Sequence, residues 1–382
     1  MKKILQVCNT DFYLTKFLIP LLNGLHESGY EVHTACNSSN KFSGVENKSI
    51  SHHHLSFPNS PSPLGFYKSI KELIKIIKKH NFDCVNSHNR NASIATRIAA
   101  WWCKVPINLY TAHGFYFHDD QSKMSKYLTI QLERILAKVT THTLSQSQED
   151  VDLMTEKGYV KSKDITWIGN GINNYRFKQI NDYETLRNKL SLPKNKFIIT
   201  AIGRLVEGKG FQDLITSFSH LSNQYSDVHL LIIGGNISKD ISPFEQEIKA
   251  LIEKNNLTDK ITLTGMIDNV EEFLGCSDLY VLPSYREGVS RSMLEAMSCK
   301  VPVVVTKIRG CREVIIDNKN GSMYVPRNIK QLSDLLQWSY SHPNEIKEYA
   351  NNAEILIKDI YNEKKYTNRQ VTAIKELLNN DK

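Results

Sequence analysis

The chain holds no stretch approaching the roughly 18 consecutive apolar residues of a membrane-spanning helix. Met1-Lys-Lys-Ile-Leu runs straight into a strand-like pattern without the layout of a signal peptide, so a cytoplasmic chain is expected. The seven cysteines (Cys8, Cys36, Cys84, Cys103, Cys276, Cys299 and Cys311) stand singly, mostly inside apolar runs, and none forms a C-x-x-C pair. That argues against a disulfide framework or a thiolate zinc site and for reduced, packed thiols. Nucleic-acid recognition motifs and aromatic RNP-like patterns are missing as well. No internal repeat or low-complexity segment is evident beyond a similarity between the two halves.

What is present is globular and long. With 382 residues and 41% hydrophobic content, the chain exceeds one ordinary core, and two domains of roughly 150 to 200 residues each are expected. The net charge of +8 is unevenly shared: residues 1–180 hold 22 Lys/Arg against 14 Asp/Glu, and residues 181–382 hold 26 against 26. The whole excess lies in the first half, which is therefore the half expected to meet an anionic surface or substrate.

Lys3 to Cys8 reads as a buried strand, Leu14 to His26 as a helix ending at Gly29, and Glu31 to Cys36 as a strand, a βαβ start that predicts a doubly wound parallel sheet. Such sheets bind ligands at the carboxyl ends of their strands. Histidines 52 to 54 fall in a polar loop where a metal site is the alternative reading. Gly65 to His80 is an amphipathic helix with Ile70, Leu73, Ile74 and Ile77 inward. Its other face carries Lys68, Lys71, Lys75, Lys78 and Lys79, which suits either solvent or an anionic membrane. Trp101 and Trp102 end the next helix and are expected in the core. Phe82 to His88 and Ile107 to His113 are strands ending in histidines, so His88 and His113 become ligand-contact or structural histidines. Asp150-Val-Asp152 spells a D-x-D, but within a helix starting near Gln148 rather than at a strand end, which argues against a metal site there.

Arg176 to Leu192 is expected to be a polar helix, and a second Rossmann-like unit begins at Phe197. Its first strand, Phe197 to Ile202, runs into Gly203-Arg-Leu-Val-Glu-Gly-Lys-Gly210 and a helix from Phe211. Arg204 and Lys209, two cations among three glycines at a strand-to-helix junction, suit a diphosphate; exposed surface cations are the plain alternative. Ile261 to Gly265 is a later strand, and Met266 and Ile267 sit in the loop after it. The strongest pattern is strand Leu279 to Leu282, turn at Gly288, helix Ser290 to Cys299, strand Val301 to Val305. Glu287 stands before this helix and Glu295 inside it. Eight residues of helical rise span about 12 Å, and a helix amino terminus between two carboxylates suits phosphate. A salt-bridged stripe of Glu287, Arg291 and Glu295 is the alternative.

Glu287-Gly-x6-Glu295-Ala-Met followed by Pro302-Val-Val-Val resembles the E-x7-E signature of the family-four retaining glycosyltransferases. Gly203 to Gly210, Thr111-Ala-His-Gly114 and Asn170-Gly-Ile172 match that family in the same order, so the resemblance covers most of the chain. Arg286-Glu-Gly, Thr306-Lys-Ile-Arg-Gly310 and Arg312-Glu-Val-Ile315 bring it nearest to the polysaccharide-biosynthesis branch. The resemblance implies an α/β chain of GT-B fold, two Rossmann-like doubly wound parallel-sheet domains facing a central cleft. Residues 1–172 would bind the acceptor, residues 173–365 the nucleotide sugar, and residues 366–382 would form a helix crossing back to the first domain. It implies retaining transfer of a hexose or N-acetylhexosamine from a UDP-sugar to an oligosaccharide or lipid-linked acceptor, with no metal and no further cofactor. Glu287 would hold the hexose, Glu295 the ribose, Arg204 and Lys209 the diphosphate, and His113 the hexose and β-phosphate side. Gly203, Met266, Ile267, Gly288, Val289 and Ser290 would complete the donor site. Acceptor contacts would fall to Asp11, Phe12, His88 and Arg90. The first loop departs from the family's glycine pair, reading Asn9-Thr-Asp-Phe-Tyr13, so Asp11 and Phe12 either touch a sugar or merely cap and pack. A basic first domain would place the enzyme on the inner face of the membrane, without nucleic-acid partners. The rival readings are a nucleotide-sugar epimerase of the same architecture and a non-catalytic nucleotide-sugar binding module.

Overall fold

The computed structural model describes residues 1–39, 45, 47, 49–57, 62–117, 121–235 and 242–380. The chain forms two compact units, Met1–Asn170 with Glu363–Lys382, and Gly171–Asn362. The expected edges at 172 and 366 therefore move to 170 and 363, because the chain's last helix begins, and joins the first unit, slightly earlier than the sequence pattern indicates.

Unit 1 alternates β1 (Lys3–Thr10), α1 (Asp11–Tyr13), a π turn (Leu14–Leu18), α2 (Ile19–Glu27), β2 (Glu31–Asn37), β3 (Ser51–His54), α3 (Pro63–His80), β4 (Cys84–His88), α4 (Arg90–Trp102), β5 (Ile107–Ala112), α5 (Lys123–Ala137), β6 (His142–Ser145), α6 (Gln148–Glu156) and β7 (Ile165–Trp167). The sheet is parallel in the order β3-β2-β1-β4-β5-β6-β7. β4 and β5 are buried along their whole length, as strands covered on both faces must be. Their neighbour-to-neighbour order reverses between β1 and β4, the position at which such sheets open for ligands.

Unit 2 follows with α7 (Tyr183–Lys189), β8 (Phe197–Ile202), α8 (Phe211–Gln224), β9 (Val228–Ile233), α9 (Pro243–Lys254), β10 (Ile261–Leu263), α10 (Val270–Leu274), β11 (Leu279–Leu282), α11 (Arg291–Ser298), β12 (Val303–Thr306), β13 (Ser322–Tyr324), α12 (Ile329–Ser341) and α13 (Pro343–Asp359). The order is β10-β9-β8-β11-β12-β13, again parallel and again reversing once, between β8 and β11.

Four local expectations change. Histidines 52 to 54 form an edge strand, not a loop: β3 satisfies the open edge of β2, with Ala35 opposite His53, and Ser38 bonds the rings of His52 and His54. Trp101 and Trp102 are 55% and 64% exposed. α4 packs through the small residues Ala92, Ala95, Ala99 and Ala100, and the two rings fall past that stripe at the last turn. The helix expected over Arg176 to Leu192 shrinks to α7, because Asn173 Oδ1 captures the amides of Tyr175 and Arg176 in a turn and Asp182 caps a later start through Thr185 N. The first helix is broken into α1, a π turn and α2, with Pro20 in the first turn of α2, where its missing N–H costs no α-helical bond.

The final helix, α14 (Glu363–Asn380), belongs to unit 1. It buries Tyr366, Ile374 and Leu378 with Leu18, Leu22 and Leu25, and Tyr366 Oη accepts from Gln146 Nε2 at 2.8 Å. Arg369 lies over the Trp167 ring at 4.9 Å and donates to Ile168 O at 2.7 Å. Ile374→Ala is expected to cost about 2–5 kcal/mol, read by urea unfolding and by lost amide protection in α2 and α14. A loss below about 0.5 kcal/mol, the range of surface changes, would show that α14 is not docked on α2.

Candidate active site

In unit 2 the loops after β8 and β11 rise side by side from paired strands, Leu279 lying opposite Ile199. Their approach is set by main chain against main chain. Gly210 has φ +66°, and a Cβ there would stand 2.0 Å from Pro283 O. Tyr285 N donates to Gly208 O at 3.0 Å, and the Thr306 hydroxyl donates to Ser284 O at 2.6 Å. From behind, Gly310 (φ +76°) comes so near that its Cβ would stand 2.1 Å from Gly288 O. The motif Thr306 to Gly310 thus braces the turn that carries Glu287.

These contacts bring Lys209 and Glu287 together: Nζ lies 2.5 Å from Oε1, with the side chains 23% and 16% exposed. The pair joins two residues that are 78 positions apart. Arg204, on the same loop as Lys209, is exposed, and its main-chain oxygen accepts from Val206 N at 2.8 Å. Beyond Glu287 the chain enters α11. Its N-cap residue Ser290 makes no capping bond to the helix; its hydroxyl lies 3.1 Å from that of Ser292, which accepts from Tyr280 Oη at 2.8 Å. First-turn amides left without a cap are available to an anion. Val289 and Ser290 are buried.

One face of α11 enters the core with Met293, Leu294, Ala296 and Met297. Glu295, half-buried, stands in the middle of the helix. Burial pushes its carboxyl above the ordinary glutamate range, and Arg291 and Arg176 pull the other way. Arg176 is a residue that the sequence reading left inside a helix. It donates to Glu271 Oε2 at 2.7 Å and also to Asp268 O, so it ties the Met266 to Asp268 loop to the neighbourhood of Glu295. Met266 is 51% exposed beside Gly265, and Ile267 is half-buried. The missed signal was the Asn173-Asn174-Tyr175 turn, which breaks helical continuity just before Arg176.

In unit 1, the loop after β1 and the start of α4 meet at the other strand-order reversal. Asn9 N donates to Asn89 Oδ1 at 3.1 Å, and Ala92 N donates to Asn9 Oδ1 at 2.8 Å. Asp11 is occupied by the amides of Phe12 and Ser39, the capping alternative for that residue, while Phe12 is 41% exposed. Arg90 stacks over Tyr116 at 4.9 Å.

His88 is fully buried and meets His113, Nδ1 to Nε2 at 3.0 Å. Its influence on any ligand therefore passes through His113 rather than by direct acceptor contact. Thr111 donates to Asn86 Oδ1, Asn86 Nδ2 donates to Gln6 Oε1, and Gln6 Oε1 lies 2.9 Å from His88 Nε2. Burial, with His113 adding to it, keeps His88 neutral far below the usual histidine range. In this chain of bonds His88 donates through Nε2 and accepts through Nδ1, so the proton of neutral His113 sits on Nε2. Asp150 of the D-x-D accepts from Phe115 N at 3.1 Å and is 3% exposed. It holds the loop of His113.

Two doubly wound parallel sheets, each with its polar residues on loops at the reversal of strand order, define the GT-B glycosyltransferase architecture. Comparison with known proteins agrees. The family model described as Glycosyltransferase Family 4 matches residues 15–176, and that described as Glycosyl transferases group 1 matches residues 182–355. The chain belongs to the family-four glycosyltransferases. It is 27% identical over 332 residues to the putative glycosyltransferase EpsD of Bacillus subtilis, covering 84% of this chain and 82% of that protein. It is 31% identical over 247 residues to the UDP-Gal:alpha-D-GlcNAc-diphosphoundecaprenol alpha-1,3-galactosyltransferase of Escherichia coli, covering 64% of this chain and 62% of the relative. The structure of Anabaena Alr3699/HepE in complex with UDP superposes with a TM-score of 0.81 at 18% identity, over 98% of this chain and all of that one; at that identity it speaks for the fold.

Glu295 allows a test with a definite sign. Its raised value means that the folded state holds the proton more tightly than the unfolded chain, so its contribution to stability is present below the ordinary glutamate range and is lost as pH rises through the folded value. The ionised form is therefore the less well accommodated one, and Glu295→Gln is expected to raise the thermal midpoint at pH 7.5 and to leave it little changed at pH 4. A lower midpoint at pH 7.5 would show that the ionised carboxylate holds the fold together.

Proposed function

We propose that the chain transfers a hexose or N-acetylhexosamine from a UDP-sugar to a lipid-linked glycan acceptor, with retention at the anomeric carbon and without a metal. The observation that carries this reading is the Lys209–Glu287 pair at the β8/β11 reversal, with the second carboxylate, Glu295, inside the helix that follows. The E. coli relative is named for a UDP-Gal donor and a diphosphoundecaprenol acceptor, and the Anabaena neighbour was solved with UDP. Glu295 would take the ribose hydroxyls, the uncapped start of α11 with Arg204 and Lys209 the diphosphate, and Glu287 the hexose hydroxyls. The Met266 and Ile267 loop would pass the base through main-chain groups. In unit 1, His113 would accept a hydrogen bond from a hydroxyl of the transferred sugar through Nδ1.

The chemistry is then mostly charge placement. The acceptor hydroxyl oxygen bonds to the anomeric carbon on the face that UDP leaves, the carbon–oxygen bond to the β-phosphate breaks, and a phosphate oxygen takes the hydroxyl proton. Lys209 and Arg204 stabilise the charge growing on UDP, an effect that fixed donors supply at little reorganisation cost.

Peripheral attachment to an anionic membrane is part of the proposal. No helix among the described residues is long and apolar enough to cross a membrane. Lys68, Lys71, Lys75, Lys78 and Lys79 are exposed along α3. Trp101 and Trp102 are exposed at the end of the adjacent α4; Lys78 is near enough to Cys103 to bias its thiol. Lysines beside amphipathic rings suit a headgroup region.

Lys209→Ala or Arg204→Ala is expected to lower turnover roughly 10²-fold or more with the fold intact, and near-normal rates in both would remove them from the site. Glu295→Gln should weaken UDP itself, whereas Glu287→Gln should leave UDP affinity and depress kcat/KM for the sugar donor; equal UDP binding by the two variants would overturn the division of roles. Incubation with UDP-sugars alone separates the rivals, since an epimerase converts the donor without an acceptor. The membrane reading is checked by sedimentation with phosphatidylserine vesicles. Association should vanish near 0.5 M salt, where the Debye length falls well below the roughly 8 Å of physiological salt, and in the Lys71→Glu, Lys75→Glu, Lys78→Glu triple variant. Equal binding to neutral vesicles would reject it.

A further inference from the structure

The three consecutive histidines of β3 do not share one environment. Strand alternation sends His52 and His54 to one face, where His52 bonds Thr34 and Ser38 and His54 bonds Ser38. His53 goes to the other face, the side on which His33 lies in register with Ser51, two residues before it. There His53 Nε2 lies 2.9 Å from His33 Nδ1, and His80, the last residue of α3, closes the group. Its ring centroid is 4.8 Å from that of His53 and 5.0 Å from that of His33. One nitrogen from each of the three rings can be chosen such that all lie within 4.8 Å of one another.

We propose that His33, His53 and His80 form a binding site for one divalent transition-metal ion of the zinc class, with three imidazole ligands and water completing a tetrahedron. Bonds of about 2.1 Å to such an ion set ligand nitrogens about 3.4 Å apart. The present spacing reaches this by small ring rotations. The surroundings fit the role. Glu31 Oε1 accepts from His33 Nε2 at 2.9 Å, which directs the Nδ1 lone pair into the group, the carboxylate-to-histidine arrangement that commonly backs a metal ligand. Phe82 packs against His33 and His80 and gives the site an apolar wall. Burial first, then its two histidine neighbours, pushes His53 down to about 4, so at neutral pH it is in the coordinating form. Besides Glu31 the charged groups acting on these rings are Lys79 and Lys3, and the neighbouring titratable group is His52. Two lysines beside one carboxylate disfavour a hard cation that needs oxygen ligands and leave nitrogen coordination as the source of affinity.

His33 is near the start of β2 and His80 precedes β4, so the cluster lies toward the amino ends of those two strands. The loops of the candidate active site lie at carboxyl ends. The ion would thus clamp edge strand β3 to β2 and to the end of α3, and take no part in sugar transfer.

The test uses the full, untagged chain, stripped with EDTA and titrated with zinc chloride at pH 7.5 against a chromogenic chelator. One equivalent is expected with a Kd below about 1 µM, together with a rise in thermal midpoint and unchanged turnover. His53→Gln and His80→Gln should each lose that equivalent and the thermal shift. Glu31→Gln should weaken it about 10- to 100-fold, and His52→Gln should keep it. Cobalt gives a second readout on the unaltered chain, since a tetrahedral site absorbs strongly in the visible and an octahedral one weakly. No tight equivalent, its persistence in His53→Gln, or a weak octahedral cobalt spectrum would overturn the proposal.

Discussion

Main chain meeting main chain between the loops after β8 and β11 is the constraint on which unit 2 depends. A parallel sheet whose strand order reverses leaves a gap at the carboxyl ends, and two loops can use it only if nothing bulky stands between them. Gly210 against Pro283 removes the side chain that would hold these two loops apart, and Gly310, in the segment after β12, lets that segment close on Gly288 from behind. Lys209 then reaches Glu287 across 78 positions of sequence. The same approach fixes where α11 begins, and hence how far Glu295 lies from Glu287.

The two carboxylates of this region are held in opposite ways. Glu287 is matched by a cation within hydrogen-bond distance. Glu295 is disfavoured by burial and only partly compensated by Arg291 and Arg176. A carboxyl whose charged form its surroundings disfavour is characteristic of a site shaped for something other than stability. In unit 1 the polar burial is of a different kind: Gln6, Asn86, His88 and His113 form a chain of neutral hydrogen bonds, which orders a ring without storing charge.

Much of this was legible in the residues. The βαβ alternation, the glycine-rich junction at Gly203 to Gly210 and the spacing of Glu287 and Glu295 are local patterns, and local patterns survive folding. What could not be read depended on partners distant in sequence. Histidines 52 to 54 become a strand because β2 offers an open edge, a fact of pairing that their own composition opposes. Trp101 and Trp102 have the size of core residues, but α4 is seated on alanines and its last turn overhangs them. Arg176 owes its position to Asp268 and Glu271, more than 90 positions away. The burial of His88 follows from its place on a strand covered on both faces, which its strand-end position alone did not distinguish from exposure at a ligand site.

The return of the chain to unit 1 at Glu363 also sets an order of events during synthesis. The surface of α2 that Tyr366, Ile374 and Leu378 cover is made early and sealed last. Between Asn170 and Glu363 the ribosome adds the whole of Gly171–Asn362, which at about 5–20 residues per second takes on the order of 10–40 s. For that interval Leu18, Leu22 and Leu25 border a hydrophobic trough with no lid. The first unit to emerge is therefore the last to be finished, and its nascent form is the one with the most to gain from a chaperone.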